Sequence, residues 1–486
     1  MTAKQTRQEH FTPSQAPGFS PVEAAAPTIC RVAVPSPLRR LFDYLLPPEG
    51  SFRPQPGCRV AVPFGRREVI GVVVEVTEGT TYEPGKLKAV TAVIDQQPLV
   101  SPALWQVYRW ACDYYHHPVG DALTGILPAL LRRGASADGD PVEHWHLTTH
   151  GHGLPETALS RARKQQQLLN LLRHQGPMSA ADIAAQGFGR DILRALDAKG
   201  LIERILDTPH PVVQPQGTDW VKGTPLTLRD EQQKALDAIR PGAFNTYLLQ
   251  GETGSGKTEV YLQAIANVLA LGQQALVLIP EINLTPQTLS RFRQRFSCEI
   301  VVLHSGLTDR ERLDAWRRAR DGRARIVIGT RSAVFTPLAQ PGILIVDEEH
   351  DGSYKQQEGF RYSARDVAVM RGHREAIPVV LGSATPSLES LANCERGRYR
   401  RLVLKERPAG VSLPRWQLID IRGAGLTAGF SAPLLDAIRD TLAAGNQALV
   451  FVNRRGYAPL MLCHDCGWMA NCHQCSARLT VHRGQR

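Results

Sequence analysis

The stretch Gly251-Glu252-Thr253-Gly254-Ser255-Gly256-Lys257-Thr258 has the residue types and spacing to hold a phosphate. It follows the apolar run Thr246-Tyr247-Leu248-Leu249 and opens a helical pattern through Val260, Leu262 and Ala264. Strand, glycine-rich turn and helix form the setting in which such a match becomes a phosphate loop. Glycines let backbone N–H groups curl around an anion without Cβ obstruction, and the helix N-terminus adds partial positive charge. In such a loop Lys257 reaches the β- and γ-phosphates and the Thr258 hydroxyl holds Mg²⁺. Downstream, Ile343-Leu344-Ile345-Val346 reads as a buried strand ending in Asp347-Glu348-Glu349-His350. A carboxylate at the carboxyl end of a parallel strand, here Asp347, supplies the second Mg²⁺ contact, and Glu348 could orient or deprotonate the attacking water. The two stretches together predict a nucleoside triphosphate site.

Four of the nine cysteines spell Cys463-x-x-Cys466 and Cys472-x-x-Cys475. Two thiolates at that spacing can bite one ion, so each pair is a half-site for tetrahedral Zn²⁺. The N-terminus has no charged-then-apolar signal pattern, and no apolar run approaches the ~20 residues of a membrane span. A cytoplasmic location follows, with metal ligation rather than disulfides.

These groups sit in a chain of 486 residues, long enough for several domains. It is 43% hydrophobic and 21% charged with a net charge of +11, which describes a globular protein suited to a polyanionic partner. Residues 1–27 are rich in Pro, Ala, Gln, Ser and Thr without periodicity and read as a disordered tail. Short β-like runs follow over 29–34, 42–46, 59–63, 69–76 and 89–94, punctuated by Gly and Pro, as in a small barrel or sandwich. Arg39, Arg40, Arg59, Arg66, Arg67, Lys86 and Lys88 lie on or beside its turns. A helix is predicted over Ala103–Tyr115, its aromatic residues serving packing, and 134–155 reads as a linker. Helical patterns over Arg161–Arg173 and Asp191–Lys199, with Ala181–Ala185 between them, predict a winged helix that either binds DNA or only packs. From Leu226 to about Leu404 six apolar runs alternate with helical patterns, predicting a parallel sheet covered on both faces. A further strand over Ala448–Val452 starts what reads as a second such lobe.

In order and spacing these blocks resemble a helicase of the second superfamily. Arg229-Asp230-Glu231-Gln232 is similar to the glutamine motif used against adenine. Pro280–Gln287, His304-Ser305 and Gly329-Thr330-Arg331-Ser332 resemble loops that touch the backbone of a translocated strand, and Gly382-Ser383-Ala384-Thr385-Pro386 resembles the motif linking hydrolysis to movement. More narrowly, the chain resembles the bacterial replication-restart helicases, the primosomal protein N′ (PriA) family, from Ile29 to Arg486. One feature is the aromatic-rich loop from Ser353 to Tyr362, which couples single-strand binding to hydrolysis in that family. Tyr354, Phe360 and Tyr362 would offer stacking faces, and Lys355 and Arg361 phosphate contacts. Another is Leu41–Pro47 with Cys58–Gly65, similar to the family's pocket for the 3′ end of a nascent strand. The resemblance implies stacking by Phe42, a 3′-hydroxyl acceptor in Asp43, close backbone approach at Gly65 and charge from Lys88. The cysteine cluster is the third feature; in the family two further pairs complete the zinc sites.

The resemblance implies a multidomain α/β protein. Its parts are a 3′-end-binding domain over 28–135, a winged helix over 156–215, a RecA-like helicase lobe over 224–410 and a partial second lobe over 411–486. The implied activity is ATP-dependent 3′→5′ unwinding of DNA at stalled forks and initiation of primosome assembly by a monomer. The implied cofactors are ATP, Mg²⁺ and Zn²⁺. Its partners would be branched and single-stranded DNA, other primosome proteins and single-stranded DNA-binding protein. The sequence ends at Arg486, before the later cysteine pairs and the rest of the second lobe, and so reads as C-terminally truncated. A fork-binding adaptor that binds ATP without productive hydrolysis is the alternative.

Overall fold

A computed structural model describes residues 28–46, 53–139, 142–155, 158–159, 162–207, 220–405, 415–427, 429–451, 463, 465–466 and 468–470. The expected tail over 1–27, and Cys472 and Cys475, lie outside the described residues. The chain divides into two units, Met1–Pro408 and Ala409–Arg486.

Five antiparallel strands begin the first unit: β1 (Ile29–Ala33), β2 (Phe42–Leu45), β3 (Arg59–Phe64), β4 (Arg67–Thr77) and β5 (Ala92–Val93), in the order β2-β1-β4-β3-β5. Alternation sends Cys30, Val32, Tyr44, Val60, Val62 and Val73 into one apolar cluster, as strands with one buried face require. The sheet curls into a barrel: Leu45 N–H donates to the Lys88 carbonyl and Val90 N–H to the Leu45 carbonyl, both at 2.9 Å. Three helices follow, α1 (Pro102–Tyr114), α2 (Val119–Ile126) and α3 (Ala129–Arg132). Ser101 caps α1, accepting from Leu104 N–H at 3.3 Å, and Leu104, Val107, Tyr108 and Ala111 form its buried stripe. Arg59 departs from its expected place among the turn residues. Its side chain is fully buried, bonded to Asp95 at 2.8 and 2.6 Å and to the carbonyls of Leu131 and Ala135 at 2.6 and 2.9 Å. A charge so enclosed needs every donor satisfied, so Arg59 ties the barrel to α3 and its flank and faces no partner outside.

The expected linker at 134–155 is also corrected. It contains β6 (Val142–Leu147) and α4 (Thr149–Gly153). Then come α5 (Arg163–Gln175), β7 (Met178–Ser179), α6 (Ala180–Ala185), α7 (Arg190–Asp197) and β8 (Ile202–Asp207). β6 is the middle strand of an antiparallel sheet ordered β7-β6-β8, with Trp145 and Leu147 against the helical core. Its histidines and turn-like flanks mask a period-2 pattern that only the distant partner strand stabilises.

The rest of the unit is α8 (Asp230–Ala238), β9 (Thr246–Gly251), α9 (Lys257–Ala270), β10 (Gln274–Leu278), α10 (Pro286–Arg295), β11 (Ile300–Leu303), α11 (Asp309–Arg320), β12 (Ile326–Gly329), β13 (Pro341–Val346), α12 (Ala364–Glu375), β14 (Val379–Ser383), α13 (Leu388–Glu395) and β15 (Arg400–Leu404). Seven parallel strands are ordered β11-β12-β10-β13-β14-β9-β15. Apolar side chains on both faces account for the uninterrupted runs in the sequence. β15 was not expected, because as an edge strand it buries little and begins with Arg400-Arg401.

The second unit has β16 (Leu426–Thr427), β17 (Phe430–Ser431) and α14 (Ala432–Ala443). The strand expected from Ala448 is not formed over 448–451, where Leu449 and Phe451 are exposed and no described strand pairs with them; Val452 lies outside the described residues. Among the described residues no helix is long and apolar enough to cross a membrane.

Candidate nucleotide site and nucleic-acid interface

β9 delivers the chain to the carboxyl edge of the sheet, where 252–256 turn into α9. Gly254 and Gly256 take φ of +85° and +87°, which a side chain would strain. Two side chains brace the turn from α8: Arg229 Nη2 and Gln232 Nε2 both donate to the Ser255 carbonyl, at 2.7 and 3.0 Å. Gln232 is buried, and its Oε1 accepts from Arg229 N–H at 3.0 Å. The structure thus places Gln232 against the phosphate loop. Lys257 Nζ donates to the Gly251 carbonyl at 2.7 Å, which holds the ammonium at the loop mouth. The Ser255 hydroxyl is buried with no protein partner among the described residues.

Across from the loop, β13 ends in Asp347, whose N–H donates to the Leu278 carbonyl at 2.9 Å. Tyr261, one turn into α9, donates its hydroxyl to Asp347 Oδ1 at 3.1 Å. Burial, with the charge of Glu348 adding, pushes the Asp347 carboxyl above its ordinary value. Glu348 takes φ of +46°, a left-handed conformation in a non-glycine residue and a mark of local strain. Glu252, Thr253, Gly254, Gly256, Lys257, Thr258, Asp347 and Glu348 line one cavity of about 650 Å³ that reaches Arg291 and Arg295 of α10. The four residues expected to carry the chemistry are therefore brought together.

The contacts of several supporting residues escaped the sequence reading, which named Glu349, His350, Ser383 and Thr385 only within longer runs. Glu349 is buried and accepts from Ser387 N–H at 2.7 Å, Ser387 Oγ at 3.0 Å, Ser390 Oγ at 2.9 Å and Arg365 Nη1 at 3.2 Å. His350 Nδ1 and Ser383 Oγ share a hydrogen bond at 2.7 Å, and Ser383 Oγ accepts from Thr385 N–H at 3.0 Å. The end of β13 is thus tied to the turn after β14. The one sequence signal was Gly382: a Cβ there would fall on the Tyr261 hydroxyl.

The aromatic-rich loop lies beside this site but is arranged differently from expectation. Tyr354 is buried and donates its hydroxyl to the Asp347 carbonyl at 2.6 Å and the Leu278 carbonyl at 3.0 Å. Tyr362 is buried as well, and Phe360 packs between Phe335, Tyr362, Tyr115 and His117 with centroids 5.2–6.2 Å away. Tyr354 and Tyr362 offer no free stacking face here, because their rings complete the core above the sheet. Lys355 and Arg361 are exposed and available to phosphates.

In the barrel, Phe42 packs edge-on against Phe64 at 5.1 Å, with the Arg40 guanidinium 4.8 Å from its centroid. Gly65 takes φ of +63°, opens onto empty space and lies under Lys88, whose Nζ is 3.5 Å from its carbonyl. Strand alternation sends Asp43 to the other side of β2 from Phe42. There it accepts from Thr80 Oγ1 at 2.8 Å and pairs with Arg31 at 3.5 Å. Phe42, Gly65 and Lys88 share one mouth of the barrel, and Asp43 is turned away from them.

Cys463 and Cys466 are free thiols. Backbone N–H groups of Cys466 and Asp465, with the Cys466 side chain, hold the Cys463 thiol below its usual value. Among the described residues no three His, Cys, Asp or Glu side chains gather as a metal group.

Two family models match the chain: a 3′ DNA-binding domain over residues 31–128 and a DEAD/DEAH box helicase over 229–394. The replication restart protein PriA of Haemophilus influenzae is 44% identical over 465 residues, covering 94% of this chain and 63% of that protein. The Bacillus subtilis protein of the same name is 34% identical over 523 residues, covering 92% of this chain and 64% of that protein. The chain thus spans a little under two thirds of these relatives. Among solved structures, RecG bound to a three-way DNA junction is 24% identical, with a TM-score of 0.31 over 40% of this chain and 27% of that one.

Proposed function

This chain belongs to the PriA family of replication restart proteins, and from that premise we propose that it serves ATP-driven 3′→5′ unwinding of DNA at stalled forks, ahead of primosome assembly. The observation that carries the reading is the convergence of Lys257, Thr258, Asp347 and Glu348 on one cavity, with Tyr354 joining the end of β13 to a loop that exposes Lys355 and Arg361. Lys257 and the loop N–H groups bind and orient the triphosphate. Thr258 and Asp347 would hold Mg²⁺, which when bound neutralises charge on the phosphates. The buried Asp347 carboxylate and the Thr258 hydroxyl, both lining that cavity, fit that ion. Glu348 accepts a proton from the attacking water. Removing the ammonium tests the assignment: Lys257→Ala should weaken Mg-ATP binding by calorimetry by on the order of 1.5–3 kcal/mol. Unchanged affinity would rule the site out.

The barrel with α1–α3 serves as the 3′-end domain over 28–135. The helices α5–α7 with β7 and β8 support a winged helix over 156–215, to which β6 adds a strand from upstream. Residues 224–410 then form the RecA-like lobe and 411–486 part of a second. In that last segment Cys463 and Cys466, with Cys472 and Cys475, would hold Zn²⁺. The depressed Cys463 thiol supports this, because N–H groups aimed at sulfur favour the thiolate that binds metal. Elemental analysis of the purified chain should find zinc, and less of it after Cys463→Ser; equal metal in both would remove Cys463 from the ligand set. Branched and single-stranded DNA are the proposed partners, with primosome proteins and single-stranded DNA-binding protein recruited to the same fork.

A further inference from the structure

We propose that Arg331 is a positioning residue that clamps the hairpin at 351–363 against the carboxyl end of the parallel sheet, and is not a ligand for a DNA phosphate. The proposal rests on reading that hairpin as the link between DNA and nucleotide. Arg331 follows β12 in Gly329-Thr330-Arg331-Ser332, one of the loops expected to touch a translocated strand. Its guanidinium points elsewhere. Nη1 donates to the Ser353 carbonyl at 2.9 Å and the Lys355 carbonyl at 3.3 Å, on the outgoing limb of the hairpin. On the returning limb the buried Tyr362 phenol, which burial pushes up to about 12, lies near the same guanidinium, whose charge works against that rise. Nε is enclosed, without a partner among the described residues. The hairpin's own closure is thin: Gln356 N–H donates to the Tyr362 carbonyl at 2.9 Å, and Lys355 and Ser363 form an isolated bridge.

One planar cation therefore holds the outgoing limb by two hydrogen bonds and lies beside the returning one, across a base that backbone pairing barely closes. Guanidinium geometry allows this, because several donors leave one rigid plane in different directions, whereas an ammonium is a single point charge. The pinned limb includes Tyr354, whose hydroxyl ends on the Asp347 carbonyl. Loosening Arg331 would free the strut that reaches the nucleotide site. A phosphate drawn to Nη1 would have to break its bonds to Ser353 and Lys355 first.

The test uses three variants of the whole chain. Arg331→Lys keeps the charge but lacks the planar fork, Arg331→Gln removes the charge, and Tyr362→Phe removes the phenol beside the guanidinium. Tryptic cleavage after the exposed Lys355 and Arg361, followed by mass spectrometry without DNA or nucleotide, should accelerate about tenfold or more in both Arg331 variants, and less in Tyr362→Phe. The salt dependence of oligo(dT) binding should keep its wild-type slope in all three. Wild-type cleavage rates in both Arg331 variants would overturn the clamp. So would a slope reduced by about 0.7 in Arg331→Gln but not in Arg331→Lys, the signature of one lost single-strand phosphate contact. If one Arg331 variant fails to accumulate as folded protein, the other decides through its cleavage rate: wild-type cleavage there would overturn the clamp. A wild-type chain whose Mg-ATP affinity ignores oligo(dT) would refute the coupling reading instead, and the cleavage arm would still decide the clamp.

Discussion

Asp347 keeps its proton to a higher pH in the folded chain than in the unfolded one, because burial and Glu348 both disfavour its charged form. Stability from such a group is fully present below its unfolded pKa and is lost as pH rises through the folded one; Mg²⁺, which needs the carboxylate, gains over the same interval. The thermal shift given by Mg-ATP should therefore grow as pH rises above the ordinary carboxylate range. Asp347→Asn should leave the melting point of the nucleotide-free chain unchanged or higher while removing most of that shift. An Asn variant stabilised by Mg-ATP as fully as the wild type would take Asp347 out of the metal site. Lys257, Thr258, Asp347 and Glu348 were legible in the sequence because each lies within a short contiguous motif beside a strand end. Tyr261 and Glu349 were not, because their roles depend on residues distant in the chain: Asp347 for one, Ser387 and Ser390 for the other.

Among the elements, the aromatic-rich hairpin illustrates what residue type alone cannot decide. An aromatic side chain near a nucleic-acid surface can stack on a base or complete a core, and the two uses differ only in where the backbone turns it. Tyr354 is turned inward, where burial and the nearby Asp347 charge keep its phenol protonated far above neutral pH. Tyr354→Phe keeps the ring and takes a donor from the Asp347 carbonyl, while the Leu278 carbonyl keeps the Asp347 N–H. That should cost about 1–3 kcal/mol, visible as a lower urea midpoint at unchanged slope. An unaltered midpoint would make the hydroxyl dispensable to the fold. The parallel strands were legible because burial on both faces writes a continuous apolar run. β6 and β15 were not, being strands with polar faces that become strands only through their partners.

Across the molecule, the barrel and the helicase lobe belong to one unit, joined where Tyr108 donates to the Phe335 carbonyl at 2.5 Å and Arg317 to the carbonyls of Ser136 and Ala137 at 2.6 and 3.2 Å. Phe360 lies on that junction, so the barrel and the hairpin beside the nucleotide site share a neighbour. If the barrel receives a 3′ end, the whole chain should bind a 3′-hydroxyl end more tightly than a 3′-phosphate end. A carboxylate that accepts from the first and repels the second would make a difference of about 1.5–3 kcal/mol, or ten- to a hundredfold. To do so Asp43 would have to leave Thr80 and Arg31 and turn into the mouth. Asp43→Asn should narrow the gap in a competition assay, and an unchanged gap would assign the discrimination to the mouth formed by Phe42, Gly65 and Lys88. The buried Arg59 has a consequence for how the chain is made. Its last acceptor, the Ala135 carbonyl, lies 76 residues further along. At about 5–20 residues added per second, the ribosome needs roughly 4–15 s to supply it. Through that interval the nascent barrel holds a cation that its finished interior encloses completely, so the barrel closes for good only once α3 has left the exit tunnel.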